Sequence, residues 1–131
     1  MSGTAVAPEV PTLVLEPTER APEAARRFLS EVFRKLGVTD DFAGRLVVCE
    51  LVTNALRHGA GPIVVRVFRD ERDGLAVIDV WDGGAGRPVV RPANHAATSG
   101  RGLLLVSGLA RAWGVREPNE GGKAVWAKCG R

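Results

Sequence analysis

The segment ELVTNALRH at residues 50–58, followed by Gly59, is the centre from which the rest of the chain can be interpreted. With an advance of about 100° per residue along a helix, its apolar residues continue an arc that begins at Val47, and Glu50 and Asn54 lie next to each other at the edge of that arc. The segment therefore predicts a helix that holds a carboxylate and a carboxamide beside the core. The same spacing also fits an ordinary surface pair, so this segment alone leaves both interpretations open.

Length and composition predict one globular domain. The chain has 131 residues, 45% of them hydrophobic, which suffices for one core but not for two ordinary domains. Its net charge of +3 comes mainly from dispersed arginines, so it permits nucleic-acid binding without indicating it. Cys49 and Cys129 form no metal motif, and no apolar run approaches the length of a membrane span. We expect a reduced, soluble, cytoplasmic protein that contacts neither nucleic acid nor membrane directly.

Hydrophobic periodicity and turn residues predict both helices and strands. We expect a flexible tail at residues 1–11 and a single domain at residues 12–131. The predicted elements are an edge strand at Thr12–Glu16, helices from a Thr18 cap to Gly37 and from a Thr39 cap to His58, hairpin strands at Ile63–Phe68 and Leu75–Trp81, a helix at Leu103–Ala110, and strands at Ala112–Arg116 and Lys123–Lys128. This order predicts an α+β fold in which a mixed, mostly antiparallel sheet is covered on one face by three helices.

Two glycine-rich segments could hold a ligand. DGGAG at residues 82–86 follows a predicted strand, and GRG at residues 100–102 leads into the third predicted helix. Where a glycine-rich segment enters a helix, free N–H groups and the helix dipole favour an anion. Neither segment is a P-loop or a dinucleotide fingerprint, and each glycine pair alone is also explained by an ordinary turn.

Four segments, taken together, resemble the ATPase superfamily that contains gyrase B, heat-shock chaperones and sensor histidine kinases. They are ELVTNALRH at 50–58, DGGAG at 82–86, GRGL at 100–103 and GGKAVW at 121–126. Within that superfamily the chain looks most like the anti-sigma-factor serine/threonine kinases, which are single short domains, and the match covers roughly residues 12–129. The resemblance implies a Bergerat-type two-layer α/β sandwich that binds ATP and Mg²⁺.

The resemblance also implies roles for individual residues. Asn54 would bind Mg²⁺ that bridges the ATP phosphates, and Glu50 would be the general base or the group that positions the attacking atom. Asp82 would accept a hydrogen bond from the adenine 6-amino group, while Gly84 and Gly86 would let the backbone approach the ring. Ordinary alternatives remain open, because Glu50 could pair with a nearby arginine, Arg45 or Arg57, and Asp82 could be a turn aspartate.

A lid over the phosphates is implied at Arg87–Ser99. Gly100 and Gly102 would be its hinge, and the backbone N–H groups from Gly100 through Arg101 and Gly102 to Leu103 would face the phosphates. Trp81 could lie against the nucleotide, although packing is the favoured role for this tryptophan.

The last segment departs from the family pattern. Related chains usually have threonine at the position of Ala124, whose methyl group cannot replace a hydroxyl in the pocket. We therefore expect a weakened ATP affinity, which would appear first in the rate of phosphoryl transfer. Lys123 could reach a phosphate, although a lysine at the start of a strand is more often solvated.

The function implied by the resemblance is that of a Mg²⁺-ATP-dependent protein serine/threonine kinase. It would phosphorylate an anti-anti-sigma partner of the STAS type and bind a sigma factor in alternation, and a homodimer is implied as well. Ala124 keeps open a second possibility, a non-catalytic binding module in which the nucleotide only sets the partner surface. A basic nucleic-acid binder has only the pI of about 9.4 in its favour.

Overall fold

A computed structural model describes residues 10–84 and 98–130, with the backbone alone for residues 98–103. The elements in this part of the chain are β1 (Thr12–Leu15), α1 (Ala21–Leu36), α2 (Phe42–His58), β2 (Ile63–Arg69), β3 (Ala76–Asp82), α3 (Thr98–Leu109), β4 (Ala112–Arg116) and β5 (Lys123–Cys129). Most of the predicted tail, Gly86 and most of the predicted lid lie outside the described residues. None of the described helices has both the length and the apolar character needed to cross a bilayer.

The described strands form one open sheet of five, in the order β1-β2-β3-β5-β4. Each pairing between them is antiparallel, so the sheet is more uniform than the mixed sheet that the sequence predicts. β1 lies at an edge, as predicted, and the hairpin of β2 and β3 occupies the middle. The predicted α+β class is confirmed.

The helices cover one face of the sheet, which we call the inner face. Burial alternates along β2, where Ile63, Val65 and Val67 point inward and are fully buried. The helices contribute Leu29 and Phe33 from α1 and Val106 from α3 to the same core cluster. The predicted apolar arc of α2 is confirmed, since its members are all buried: Val47, Val48, Leu51, Val52 and Ala55.

The helix ends differ from the predictions at their amino termini. α1 begins at Ala21, because Thr18 forms a separate turn in which its Oγ1 accepts the Arg20 N–H at 3.3 Å. α2 begins at Phe42, three residues after the predicted cap, and its first N–H donates to Asp40 Oδ1 at 3.0 Å. Polar residues before a helix can thus stabilise a preceding turn instead of the helix itself.

The carboxyl end of α1 agrees with the prediction. Gly37 has φ +79° and ends the helix in a left-handed conformation, and its N–H donates to the Arg34 carbonyl at 3.1 Å.

α3 begins earlier than predicted. Its described helical backbone starts at Thr98, so the glycine-rich segment at residues 100–102 lies within the helix and does not precede it. The prediction of a helix at Leu103–Ala110 therefore has the right carboxyl end to within one residue and the wrong beginning.

The outer face of the sheet carries no described helix. Val77 and Asp79 are nevertheless only 5% exposed there, since long side chains on the neighbouring strands cover them. A groove of about 480 Å³ runs over this face, with Arg66, Phe68 and Trp126 among the residues that line it. Burial raises the pKa of the Asp79 carboxyl, and the Arg116 guanidinium at 3.1 Å opposes that rise.

A second charged cluster ties β5 to the β2–β3 turn. Lys128 Nζ lies 2.8 Å from Asp70 Oδ2 and 2.7 Å from Asp73 Oδ2. Hydrogen bonds from Arg72 and Lys128 lower the pKa of Asp70, and the Lys128 hydrogen bond lowers that of Asp73. This cluster stabilises the turn at the end of the sheet away from Asp82.

Candidate functional site

The carboxyl end of α2 packs tightly against the end of β3. The Gly83 N–H donates to the Ala60 carbonyl at 2.9 Å. A Cβ atom at Gly59 would overlap the Asp82 carboxyl carbon, and one at Gly84 would lie 2.9 Å from the Gly59 Cα. Side chains at these two glycines would push the segments apart. We call this junction, formed by residues 59–60 and 82–84, the α2–β3 corner.

Asp82 and Lys123 form a buried ion pair at this corner. The two residues face each other directly in the register of β3 and β5, and they are 2% and 3% exposed. Lys123 Nζ lies 3.0 Å from Asp82 Oδ1, and the Gly84 N–H donates to the same oxygen at 2.8 Å. Within the described part of the chain no donor reaches Asp82 Oδ2. The expectation that Lys123 is solvated is therefore wrong, and Asp82 is more than a turn aspartate.

Asn54 is a buried polar residue whose acceptor has no described partner. Its side chain is on α2, the residue is 6% exposed, and Oδ1 accepts no hydrogen bond within the described ranges. Such atoms are rare in folded proteins, because an unsatisfied buried acceptor costs about 1–3 kcal/mol. Asn54 lies five residues before Gly59, which is about 7.5 Å along the helix axis. The unsatisfied oxygen thus lies on the helix that leads into the corner.

Glu50 lies one helical turn before Asn54 and is half-buried. None of the ion pairs found in the described ranges includes Glu50, so the pairing with Arg45 that the sequence left open does not form there. Its role as a catalytic base stays a prediction.

The oxygen of Asn54, on the helix that leads to the corner, fits a Mg²⁺ ion that arrives with phosphates. Asn54 Oδ1 is a hard oxygen donor, the type that Mg²⁺ prefers, and Mg²⁺ often takes only one or two ligands from the protein and the rest from phosphates and water. The described residues contain no cluster of three or more histidine, cysteine, aspartate or glutamate side chains that could hold a metal ion alone.

The four residues predicted to face the phosphates lie in the first turns of α3. Gly100 is the third described residue of α3, so its N–H is among those that have no acceptor within the helix. Arg101, Gly102 and Leu103 follow it, and their N–H groups are positioned to bond within the helix. Contacts of these residues, and of Gly86 outside the described residues, with a nucleotide stay predictions.

Ala124 does not face the corner. It pairs with Trp81 in the sheet, one residue away from the Asp82–Lys123 pair, so its side chain points to the outer face. The structure therefore shows no contact through which this alanine would weaken the pocket, and the expected loss of ATP affinity stays a prediction. The Trp81 side chain also points to the outer face, opposite to the Asp82 carboxylate, and its Nε1–H donates to the Gly121 carbonyl at 3.0 Å.

Sequence reasoning missed Lys123, although a signal for it was present. Alternation along β5 puts Val125, Ala127 and Cys129 on the inner face, and Lys123 has the same parity. A lysine on an inner-facing position needs a counter-charge. Asp82, at the end of the neighbouring strand β3, supplies this counter-charge.

Replacing Gly122 by alanine is expected to destabilise the protein more than the same change at Gly61. Both glycines have positive φ, +75° and +70°, so both changes carry a similar backbone strain. Only at Gly122 would the new Cβ also overlap the Asp82 carbonyl oxygen and approach Trp81 Cε2 to 2.7 Å, whereas nothing lies within 4 Å at Gly61. We expect a difference of about 1–3 kcal/mol between the two free energies of unfolding in urea. Equal losses would show that the β5 turn can move away from β3 at little cost.

The open five-stranded sheet with helices on one face has the architecture of a histidine kinase-like ATPase domain. The chain belongs to the histidine kinase-like ATPase domain family, whose sequence model matches residues 15–129.

One solved structure with a similar fold contains the RsbU and RsbW domains of Rv1364c from Mycobacterium tuberculosis. The two chains superpose with a TM-score of 0.60 and 21% sequence identity, over 95% of this chain and 33% of that chain. This chain therefore spans a third of the length of that protein, and at this identity the likeness shows the fold alone. No curated protein sequence matches.

Proposed function

We propose that this chain binds Mg²⁺-ATP at the α2–β3 corner and transfers the γ-phosphoryl group to a serine or threonine of an anti-anti-sigma partner of the STAS type. It binds a sigma factor in alternation with that partner and acts in the cytoplasm. The observation that carries the proposal is the buried Oδ1 of Asn54, which has no partner among the described residues. It lies on the helix that leads to a buried carboxylate, in a member of an ATPase family.

The base of the nucleotide is recognised by Asp82. Its Oδ1 accepts hydrogen bonds from Lys123 and the Gly84 N–H. No donor in the described part of the chain reaches its Oδ2, which accepts a hydrogen bond from the 6-amino group of adenine. A carboxylate accepts hydrogen bonds only, so it selects a donor on the purine. Gly59 and Gly84 keep side chains away from this oxygen.

The phosphates lie toward Asn54 and the first turn of α3. Asn54 Oδ1 would hold Mg²⁺, which when bound supplies neutralisation of the phosphate charge. The N–H of Gly100, in the first turn of α3, donates to a phosphate oxygen, since the amino end of a helix favours an anion. Glu50, one turn before Asn54, accepts the proton of the attacking hydroxyl as the hydroxyl oxygen bonds to the γ-phosphorus atom. The bond from that phosphorus to the β–γ bridging oxygen breaks at the same time, and ADP leaves.

Transfer of label from [γ-³²P]ATP tests this function. The full chain is incubated with Mg²⁺ and candidate anti-anti-sigma proteins, and label is expected on the partner with the wild type and to fall about 100-fold or more with Glu50→Ala. Glu31→Ala, which removes a carboxylate from the exposed side of α1, is the matched control and should transfer label like the wild type. No transfer with any partner, or equal transfer by Glu50→Ala, would contradict the kinase activity.

A non-catalytic binding module is the alternative. It rests on Ala124, which faces away from Asp82, so no feature of the corner now favours it over the kinase. A chain that is stabilised by Mg²⁺-ATP but transfers no label to any partner would be such a module.

A further inference from the structure

The Asp82–Lys123 pair is an unusual feature of an otherwise apolar inner face. Each residue of β5 that points inward after Lys123 is apolar and belongs to the core. A buried ion pair contributes little net stability compared with apolar residues of similar volume. Apolar side chains could therefore fill this end of the inner face equally well, which points to a function of the ion pair beyond packing.

The geometry of the pair distinguishes the two oxygens of the Asp82 carboxylate. Lys123 Nζ, at the start of β5, lies 3.0 Å from Oδ1, and the Gly84 N–H, just after β3, donates to the same oxygen at 2.8 Å. A turn of the carboxylate about its Cβ–Cγ bond would carry Oδ1 away from both donors and would have to break both bonds. The carboxylate is thereby held in one orientation, with Oδ2 as the oxygen that no described donor reaches.

We propose that Lys123 is a positioning residue that sets the selectivity of the corner for purines with a 6-amino group, by holding Asp82 Oδ1 so that Oδ2 is presented to the base. This inference rests on the proposed function, because it assumes that the corner binds a nucleotide. Lys123 does not itself contact the base. It fixes the direction of Asp82 Oδ2, the acceptor that does.

The expected selectivity follows from the hydrogen bond to Oδ2. ATP donates its 6-amino N–H to the carboxylate, purine riboside triphosphate has only a C–H at that position, and inosine triphosphate presents an oxygen that the carboxylate repels. A hydrogen bond to a charged group corresponds to a preference of about 10- to 100-fold for ATP over purine riboside triphosphate. Without Lys123 only the Gly84 N–H holds Oδ1, so the carboxylate turns more freely and the preference should fall to about threefold or less.

Calorimetric titration of the full chain with the Mg²⁺ complexes of these nucleotides tests the inference. The wild type, Lys123→Met and the matched control Lys128→Met are compared, since Lys128 is also an ion-paired lysine of β5 but lies at the other end of the strand. Lys128→Met should keep the wild-type ratio of affinities. Loss of stability alone would weaken the binding of both nucleotides equally, so the ratio separates positioning from a structural role.

A second substitution guards against misfolding of Lys123→Met. Lys123→Gln is one bond shorter and uncharged, so it cannot reach Oδ1 from the same backbone, yet it leaves a polar neighbour for the carboxylate. It should show the same loss of selectivity. A folded variant of either kind that keeps the wild-type ratio overturns the role of Lys123 alone, and so does a wild type that binds both nucleotides with affinities within threefold. A wild type that binds no nucleotide overturns the proposed function, and this inference with it.

Discussion

Asn54→Ala is expected to abolish the response of this protein to Mg²⁺-ATP while leaving the fold about as stable as before. The Oδ1 atom is buried without a described partner, so removing it also removes an unsatisfied acceptor, and the free energy of unfolding should change by only about 1 kcal/mol. Wild-type protein should gain about 2.7 kcal/mol from Mg²⁺-ATP at a concentration one hundred times the dissociation constant. The variant should lose about 100-fold in affinity for the complex, and with it most of this gain.

Thermal melting with Mg²⁺-ATP, Mg²⁺-ADP, ATP with EDTA, and buffer alone measures this response. Thr53→Ala is the matched control, because it truncates the half-buried neighbour on the same helix turn and should keep the full shift. If Asn54→Ala kept the shift, the orphaned oxygen would have no ligand role. If it lost stability without ligand by several kcal/mol, Asn54 would be a structural residue with a partner outside the described ranges.

The fold could be predicted from sequence wherever a periodic pattern was long. The apolar arc of α2 identified its buried face residue by residue, and the β-branched run from Ile63 identified a central strand. Gly37 marked the end of α1, because a left-handed residue is the usual way for a helix to stop. These signals depend only on residues close in sequence, so they can be interpreted without knowledge of the tertiary structure.

The helix starts could not be predicted as well. Thr18 and Asp40 have side chains that accept N–H groups two residues later, which supports a turn as readily as a helix cap. At α3, Gly100 and Gly102 suggested a loop, yet the helical backbone extends across both. Intrinsic preference is a weak guide to such positions, since packing can outweigh the roughly 1 kcal/mol that a glycine costs in a helix.

The candidate site was predicted in part. Asn54 and Asp82 were identified by the resemblance, and both are buried. Asp82 lies in the α2–β3 corner, and Asn54 lies on the helix that leads into it. The partner of Asp82 was not identified, because it depends on which residue of β5 faces it across the sheet. A shift of one residue in that register exchanges Lys123 for Ala124, and with it a charged inner-facing side chain for a methyl group on the outer face.

Breaking the Asp82–Lys123 pair from one side is expected to destabilise the fold strongly. Lys123→Met leaves a buried carboxylate without its counter-charge, and Asp82→Asn leaves a buried ammonium, so each single change should cost about 3–5 kcal/mol. The double variant removes both charges and should recover much of that loss, because no unpaired charge stays buried. Urea unfolding of the wild type, both single variants and the double variant gives the coupling energy of the pair.

The matched comparison is the same change at Lys128, whose side chain is 17% exposed. Water can solvate Asp70 and Asp73 once this lysine is gone, so Lys128→Met should cost about 1 kcal/mol, well below the loss at Lys123. Additive losses in the Asp82–Lys123 cycle would mean that the two charges do not depend on each other. A strong coupling would show that the fold tolerates the loss of both charges far better than the loss of one. This is expected if the role of the pair is to orient the Asp82 carboxylate.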